Sequence, residues 1–430
     1  MTSLALIGFI LMALLMFVLV REVVAPPVAF VVLPLLAALA AGFGLTDIAG
    51  FLKSGMNTML STVILFVFSI SYFTMMSEKG LFDPIINKMV SVAGKKATLI
   101  LFAVVAVTFV AHLDGSGATT YLIVVPAFLP ILQRMGIRAN ALLACIAGMF
   151  STMNVTPWAG PTMRAATVSN VETSTLYSFI MPAVAVMFVL AFGIAAVAWQ
   201  IEKRRGVRDL THEELQTNTA ELKTSKPVYI FNLLLTLALL ACLFLVPSLP
   251  SYAWFMIAYV IALVVNFPKA KEQNKMIKAF GSNAMVMTVT LITVGVFIGV
   301  TKETGMVKAM AESIVSWLPE ALVPHTHWIL GLFSVPLLMV LGTDAFYYAM
   351  LPIVINVVEP FGVEPSTVAA TLLLTATWGT PISPSVAANY VGLGLADVSI
   401  SSHIKYTIRL VWPASIITLV AATLLGVIKF

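Results

Sequence analysis

Long apolar runs recur along the whole chain, and they leave few folds open to it. Residues 4–20, 28–44, 56–76, 176–199, 228–246, 252–267, 284–300 and 406–428 carry almost no charge. About 20 helical residues cross the hydrocarbon core of a bilayer. Only helices and closed barrels satisfy their backbone there. Charged residues make up 10% of the chain and hydrophobic ones 60%, against about 25% charged in a soluble domain. The chain therefore reads as an all-α polytopic membrane protein whose solvent is the lipid bilayer. The formal charge of +5 gathers in short loops, so no nucleic-acid partner is expected. Cys145 and Cys242 lie inside apolar stretches and read as packed residues, without disulfide or zinc spacing.

Two polar interruptions break this pattern. His112-Leu113-Asp114-Gly115-Ser116-Gly117-Ala118-Thr119-Thr120-Tyr121 runs on to Pro126, and Leu341-Gly342-Thr343-Asp344-Ala345-Phe346-Tyr347-Tyr348 runs on to Pro352. Polar, flexible backbone at membrane depth is costly unless it lines a cavity. Each stretch reads as the tip of a re-entrant hairpin. Two further breaks follow at Asn154-Val155-Thr156-Pro157 and at Gly379-Thr380-Pro381-Ile382-Ser383-Pro384-Ser385, where proline ends a helix inside an apolar run.

These landmarks repeat. Glu78-Lys79-Gly80 and Glu303-Thr304-Gly305 are 225 residues apart, Pro126 and Pro352 are 226 apart, and Thr156-Pro157 and Thr380-Pro381 are 224 apart. A near-constant offset predicts a two-fold internal repeat. Residues 1–200 form the first copy, with a hairpin at about 97–133 and a broken helix at about 139–166. Residues 201–227 form a cytoplasmic linker. Residues 228–430 form the second copy, with a hairpin at about 327–360 and a broken helix at about 366–394. Five crossings plus one hairpin per copy give about ten transmembrane helices in all. Five is odd, so the copies are expected upside down to one another. With the linker in the cytoplasm, 19 of the 24 Lys and Arg residues fall on that side, which sets the orientation. Both termini are then outside. Residues 46–55 read as a short loop, and residues 78–96 as an amphipathic interfacial helix.

A helix that starts mid-membrane presents unpaired amides and about half a positive charge. Gly115, Ser116, Gly117 and Ala118 would aim such amides at a carboxylate, with Thr119 and Thr120 adding hydroxyls. Gly342 and Thr343 offer the same in the second copy. Asn154 and Thr156 in one break, and Thr380, Ser383, Ser385 and Asn389 in the other, add oxygens and carbonyls. Such a cage suits an anion with accompanying cations. Asp114 and Asp344 read either as caps at the tips or as metal- or proton-binding groups. Arg164 reads either as an interfacial anchor or as the partner of a substrate carboxylate. His112 reads as a packed histidine or a proton relay, and Glu78 and Glu303 as helix-end residues. No paired catalytic motif appears, so an embedded enzyme is a distant alternative.

At residues 113–123 (Leu113-Asp114-Gly115-Ser116-Gly117-Ala118-Thr119-Thr120-Tyr121-Leu122-Ile123) and 153–166 (from Met153-Asn154-Val155-Thr156-Pro157-Trp158 to Arg164-Ala165-Ala166) the chain resembles the citrate–divalent metal:proton symporter family (CitMHS), within the ion transporter superfamily. Asp344-Ala345-Phe346-Tyr347-Tyr348 to Leu351-Pro352 agrees in the second copy. The resemblance implies an elevator-type fold and usually a homodimer in the cell membrane. It implies uptake of citrate complexed to a divalent ion of the Mg²⁺ or Ca²⁺ class, coupled to protons, with no permanently bound cofactor. Where the family pattern has Asp between the two glycines, this chain has Ser116, which removes one candidate carboxylate. Related cargo on the same fold would be a dicarboxylate or gluconate, or the sodium and protons of an antiporter.

Overall fold

Two helices of 34 residues each set the frame. At 1.5 Å per residue they run about 50 Å, well beyond the ~30 Å of a hydrocarbon core. The computed structural model describes residues 2–21, 23–85, 88, 96–209, 223–246, 249–317, 319–384 and 386–430, and every element among them is helical. In chain order the helices are α1 (Ser3–Val20), α2 (Pro26–Ala40), α3 (Leu45–Glu78), α4 (Ala97–Ala111), α5 (Gly117–Arg134), α6 (Ala139–Met153), α7 (Gly160–Ser169), α8 (Thr173–Lys203), α9 (Lys226–Leu245), α10 (Ser251–Asn266), α11 (Ala270–Glu303), α12 (Met306–Trp317), α13 (Thr326–Asp344), α14 (Leu351–Val358), α15 (Pro365–Ala376), α16 (Ala387–Ala396) and α17 (Ile400–Leu424). The 34-residue pair is α3 and α11, which pack against each other.

The expected loop at residues 46–55 is instead the first part of α3. Its start is fixed by Asp47, whose Oδ2 accepts the Gly44 amide at 3.0 Å, an arrangement that caps a helix N-terminus. Residues 86–87 and 89–95 of the expected interfacial helix at 78–96, linker residues 210–222 and Ser385 lie outside the described residues.

Among the described residues, five helical stretches are long and apolar enough to cross a bilayer by themselves, six if the pair 288–303 and 306–317, bent by 60°, counts as one. Five shorter apolar helices, including α2, α6 and α10, accompany them. In α6 every residue from Ala141 to Met153 is buried, and in α15 every residue from Thr367 to Ala376. A helix covered on all sides belongs at the centre of a bundle. Apolar contact with lipid supplies no drive to bury it, so close packing must. Small residues permit that: a Cβ on Gly148 would lie 3.3 Å from the Ala191 Cα of α8. The outer helices instead expose large apolar side chains, such as Leu234, Val260 and Val264.

Left-handed backbone falls at matching places. Gly80 and Gly305, Gly115 and Gly342, Gly136 and Gly362, and Asn170 and Asp397 all have positive φ. Each pair is separated by 225 to 227 residues. Asn170 and Asp397 end α7 and α16, two helices of ten residues each.

Candidate functional site

Four chain ends meet inside the bundle: the turns after α4 and within α13, and the gaps in α6–α7 and α15–α16. Gly115, at φ +68°, turns the chain back, so that α4 and α5 pack on each other. Ser116 is the N-cap of α5, its hydroxyl accepting from the Thr119 amide and hydroxyl at 3.3 and 3.0 Å. Asp114 Oδ1 accepts the Ser116 amide at 2.8 Å. The aspartate is 5% exposed and belongs to the turn itself. Gly342, at φ 74° and ψ 166°, breaks α13 in the same way, and a π-helical turn over Ala345–Met350 leads into α14.

Each tip rests on the broken helix of the other half. A Cβ on Gly117 would meet the Ala388 Cβ of α16 at 3.0 Å and the Phe150 ring at 2.7 Å, so only glycine lets α5 approach this closely. Tyr121 donates to Asn389 Oδ1 at 3.4 Å. On the other side, Arg164 of α7 reaches Asp344. Its Nε and Nη2 each lie 2.8 Å from Asp344 Oδ1. The guanidinium folds back over the start of its own helix, where a Cβ on Gly160 would be 2.7 Å from Arg164 Nη1. A cation at a helix N-terminus opposes the dipole, and Asp344 supplies the balancing charge. The Tyr348 ring lies 5.9 Å from the guanidinium.

The gaps are braced from within. His112 bridges Thr120 Oγ1 at 2.7 Å and Asn154 Oδ1 at 3.3 Å. With Nε2–H donating to Asn154 Oδ1, His112 Nδ1 accepts from the Thr120 hydroxyl, which also lies 2.9 Å from the Ser116 carbonyl. Trp158 Nε1 donates to the Leu113 carbonyl at 2.8 Å, and Thr156 to the Met153 carbonyl at 2.9 Å. Asn389 Nδ2 donates to the Thr380 and Ser383 carbonyls, both at 2.9 Å. The side chains of Thr120 and Asn389 thus hold the tips and gaps in shape.

Other buried polar atoms have no such partner. Asn154 Nδ2, Thr377 Oγ1, Thr380 Oγ1 and the Tyr347 and Tyr348 hydroxyls are buried without a hydrogen bond. All five lie at the gaps or beside the second tip, and each such group costs about 1–3 kcal/mol until something pairs with it. Thr343 is half-buried there. A cavity of about 240 Å³ reaches Tyr348, Pro352 and Asn356, passing Thr58 of α3, Thr301 of α11, and Lys302 and Lys308. A second, of about 300 Å³, adjoins it at Thr58, Thr167 and Asn170. Among the described residues, no three His, Cys, Asp or Glu side chains gather into a metal-holding group. Asp114 and Asp344 serve different partners. Neither Tyr347, Tyr348 nor the pairing of Arg164 with Asp344 stood out as a site feature in the sequence. The Tyr-Tyr pair beside an Asp inside an apolar run was the available signal.

A family model described as "Citrate transporter" (CitMHS) matches residues 5–379. A citrate transporter of Bacillus subtilis is 34% identical, covering 99% of this chain and 100% of the relative. A Mg²⁺/citrate complex secondary transporter of the same organism is 33% identical, covering 99% of both chains. Among solved structures, the YdaH transporter of Alcanivorax borkumensis, described as having an unusual topology, superposes with a TM-score of 0.61. It covers 89% of this chain and 88% of the other at 15% identity, a likeness of fold alone.

Proposed function

The chain belongs to the citrate transporter family CitMHS, and from that premise we propose that it imports citrate, as a complex with a divalent ion, by proton symport with alternating access. The observation that carries this reading is the collection of unpartnered buried polar groups at the two gaps and the second tip, beside Arg164 and the α7 N-terminus. An oxygen-rich anion would satisfy those donors. A divalent ion held by citrate arrives with citrate's own oxygens as ligands, so few protein carboxylates are needed around it.

The paired positive-φ positions and the crosswise packing of tips on gaps support two inverted copies, spanning 1–200 and 228–430. In this reading each hairpin is re-entrant, the linker is cytoplasmic, both termini are outside, and a homodimer is the working unit. Residues 115–120, Asn154, Thr156, Arg164, Gly342, Thr343, Thr380, Ser383, Ser385 and Asn389 form or shape the cargo site.

Coupling follows from charge. Citrate carries about three negative charges at neutral pH and its divalent complex about one. Import against a negative interior costs ~2.3 kcal/mol per charge per 100 mV. Two or more accompanying protons reverse that sign. Asp114 and Asp344 are the coupling groups in this scheme.

Labelled-citrate uptake into proteoliposomes, against a panel of divalent ions, tests the reading. Uptake should require a divalent ion and follow an imposed proton gradient. Asp114→Asn and Asp344→Asn should abolish gradient-driven uptake while still inserting. Malate exchange without citrate exchange would overturn the substrate. Wild-type gradient dependence in both variants would overturn the coupling role.

A further inference from the structure

We propose that Asp344 is a tethered stand-in for a carboxylate of the cargo: it neutralises Arg164 when no cargo is bound, and a cargo carboxylate takes the guanidinium in its place. The inference rests on the carboxylate-carrier reading above and assigns one event within it.

Three observations carry it. The first is the geometry of the pair. A guanidinium fork matches the two oxygens of one carboxylate with two parallel N–H bonds. Here Nε and Nη2 both lie 2.8 Å from Oδ1, so the fork already holds a carboxylate, and a cargo carboxylate can take the same seat. The second is access. The Arg164 side chain is 6% exposed and that of Asp344 20%, so Asp344 is the member on the open side. The third is the way in. The cavity lined by Lys302 and Lys308 also touches Tyr348, four residues from Asp344, and the Tyr348 hydroxyl is buried without a partner. The cavity's two lysines outnumber its one carboxylate, Glu359, and leave a net positive lining for an arriving anion.

Displacement leaves Asp344 as a half-buried carboxylate without its cation, which is costly. A divalent ion on the cargo supplies a replacement partner through carboxylate oxygen. Metal-free citrate supplies none. Asp344 thereby makes the protein prefer the complex over the free anion.

The test is counterflow of labelled citrate in proteoliposomes, which needs no net proton movement, run with Mg²⁺ or with EDTA. A site whose arginine is occupied most of the time shows an affinity reduced by the fraction left open. Asp344→Asn should therefore lower half-saturating citrate in EDTA about tenfold and narrow the gap between the two conditions. The double variant Arg164→Gln/Asp344→Asn should lose that gain together with counterflow itself, in both conditions. An unchanged or higher half-saturation in Asp344→Asn, or a gain that persists in the double variant, overturns the stand-in while leaving citrate carriage intact. A wild type without citrate counterflow in either condition overturns the carrier reading itself. Should Asp344→Asn fail to insert, Asp344→Ser carries the same comparison, with citrate-dependent rise in melting temperature of the purified protein as its readout.

Discussion

Arg164→Gln is expected to abolish transport and to lower the amount of folded protein, whereas adding Asp344→Asn to it should restore folding but not transport. Arg164 is 5% exposed and meets Asp344 Oδ1 through two nitrogens at 2.8 Å. Removing one member of a buried ion pair strands the other, at about 3–5 kcal/mol. Asp344 keeps some exposure, which places the cost toward the lower end. Even so, this is a large part of the ~5–15 kcal/mol that holds a typical protein folded. Neutralising Asp344 as well removes the stranded charge, so most of that loss returns. Transport does not return, because no other cation is positioned at the α7 N-terminus by the same glycine. Monodisperse yield from detergent, read beside citrate counterflow, separates the two effects. Equal loss of yield in the single and double variants would mean that Arg164 supports the fold through contacts other than Asp344.

The pairing of Arg164 with Asp344 also marks where sequence reading stopped. The tips were legible because Gly115 and Gly342 interrupt apolar runs, and both adopt the left-handed backbone that glycine tolerates best. The gaps were legible because Pro157 and Pro381 cannot continue a ladder of amide donors. Family membership was legible from the same stretches. The partner of Arg164 was not: it lies 180 residues away, and no local pattern joins the two until the halves cross. The hydroxyl of Thr120 and the amide of Asn389 looked available to cargo for the same reason. Their partners, His112 and the Thr380 and Ser383 carbonyls, appear only once the turns are closed. Residues 46–55 read as a loop because Gly50, Ser54 and Gly55 within them mimic loop composition, while the cap that starts the helix is one side-chain contact from Asp47.

The second large effect is expected far from the charges, where α3 crosses α11. A Cβ on Gly55 would stand 1.8 Å from the Gly295 carbonyl oxygen and 2.7 Å from its carbon. A Cβ on Gly299 would stand 2.1 Å from the Phe51 carbonyl oxygen. Both obstacles are backbone, so no rotamer change relieves them, and the helices must move apart. Overpacking of this kind costs about 1–3 kcal/mol and occasionally more. Gly55→Ala and Gly299→Ala should therefore lower the melting temperature most. Gly295→Ala, whose Cβ would be 3.0 Å from the Gly55 oxygen, should do less. Gly8→Ala meets only the flexible end of Met310, at 2.9 Å, and should change little. Transport should follow the same order, because Thr58 and Thr301, one turn from the crossing, line the cavity that reaches Tyr348. Separating α3 from α11 reshapes that passage even in protein that still inserts. If Gly55→Ala melts with the wild type, the two long helices do not touch backbone to backbone. The cavity walls would then lack the fixed frame against which the tips and gaps are placed.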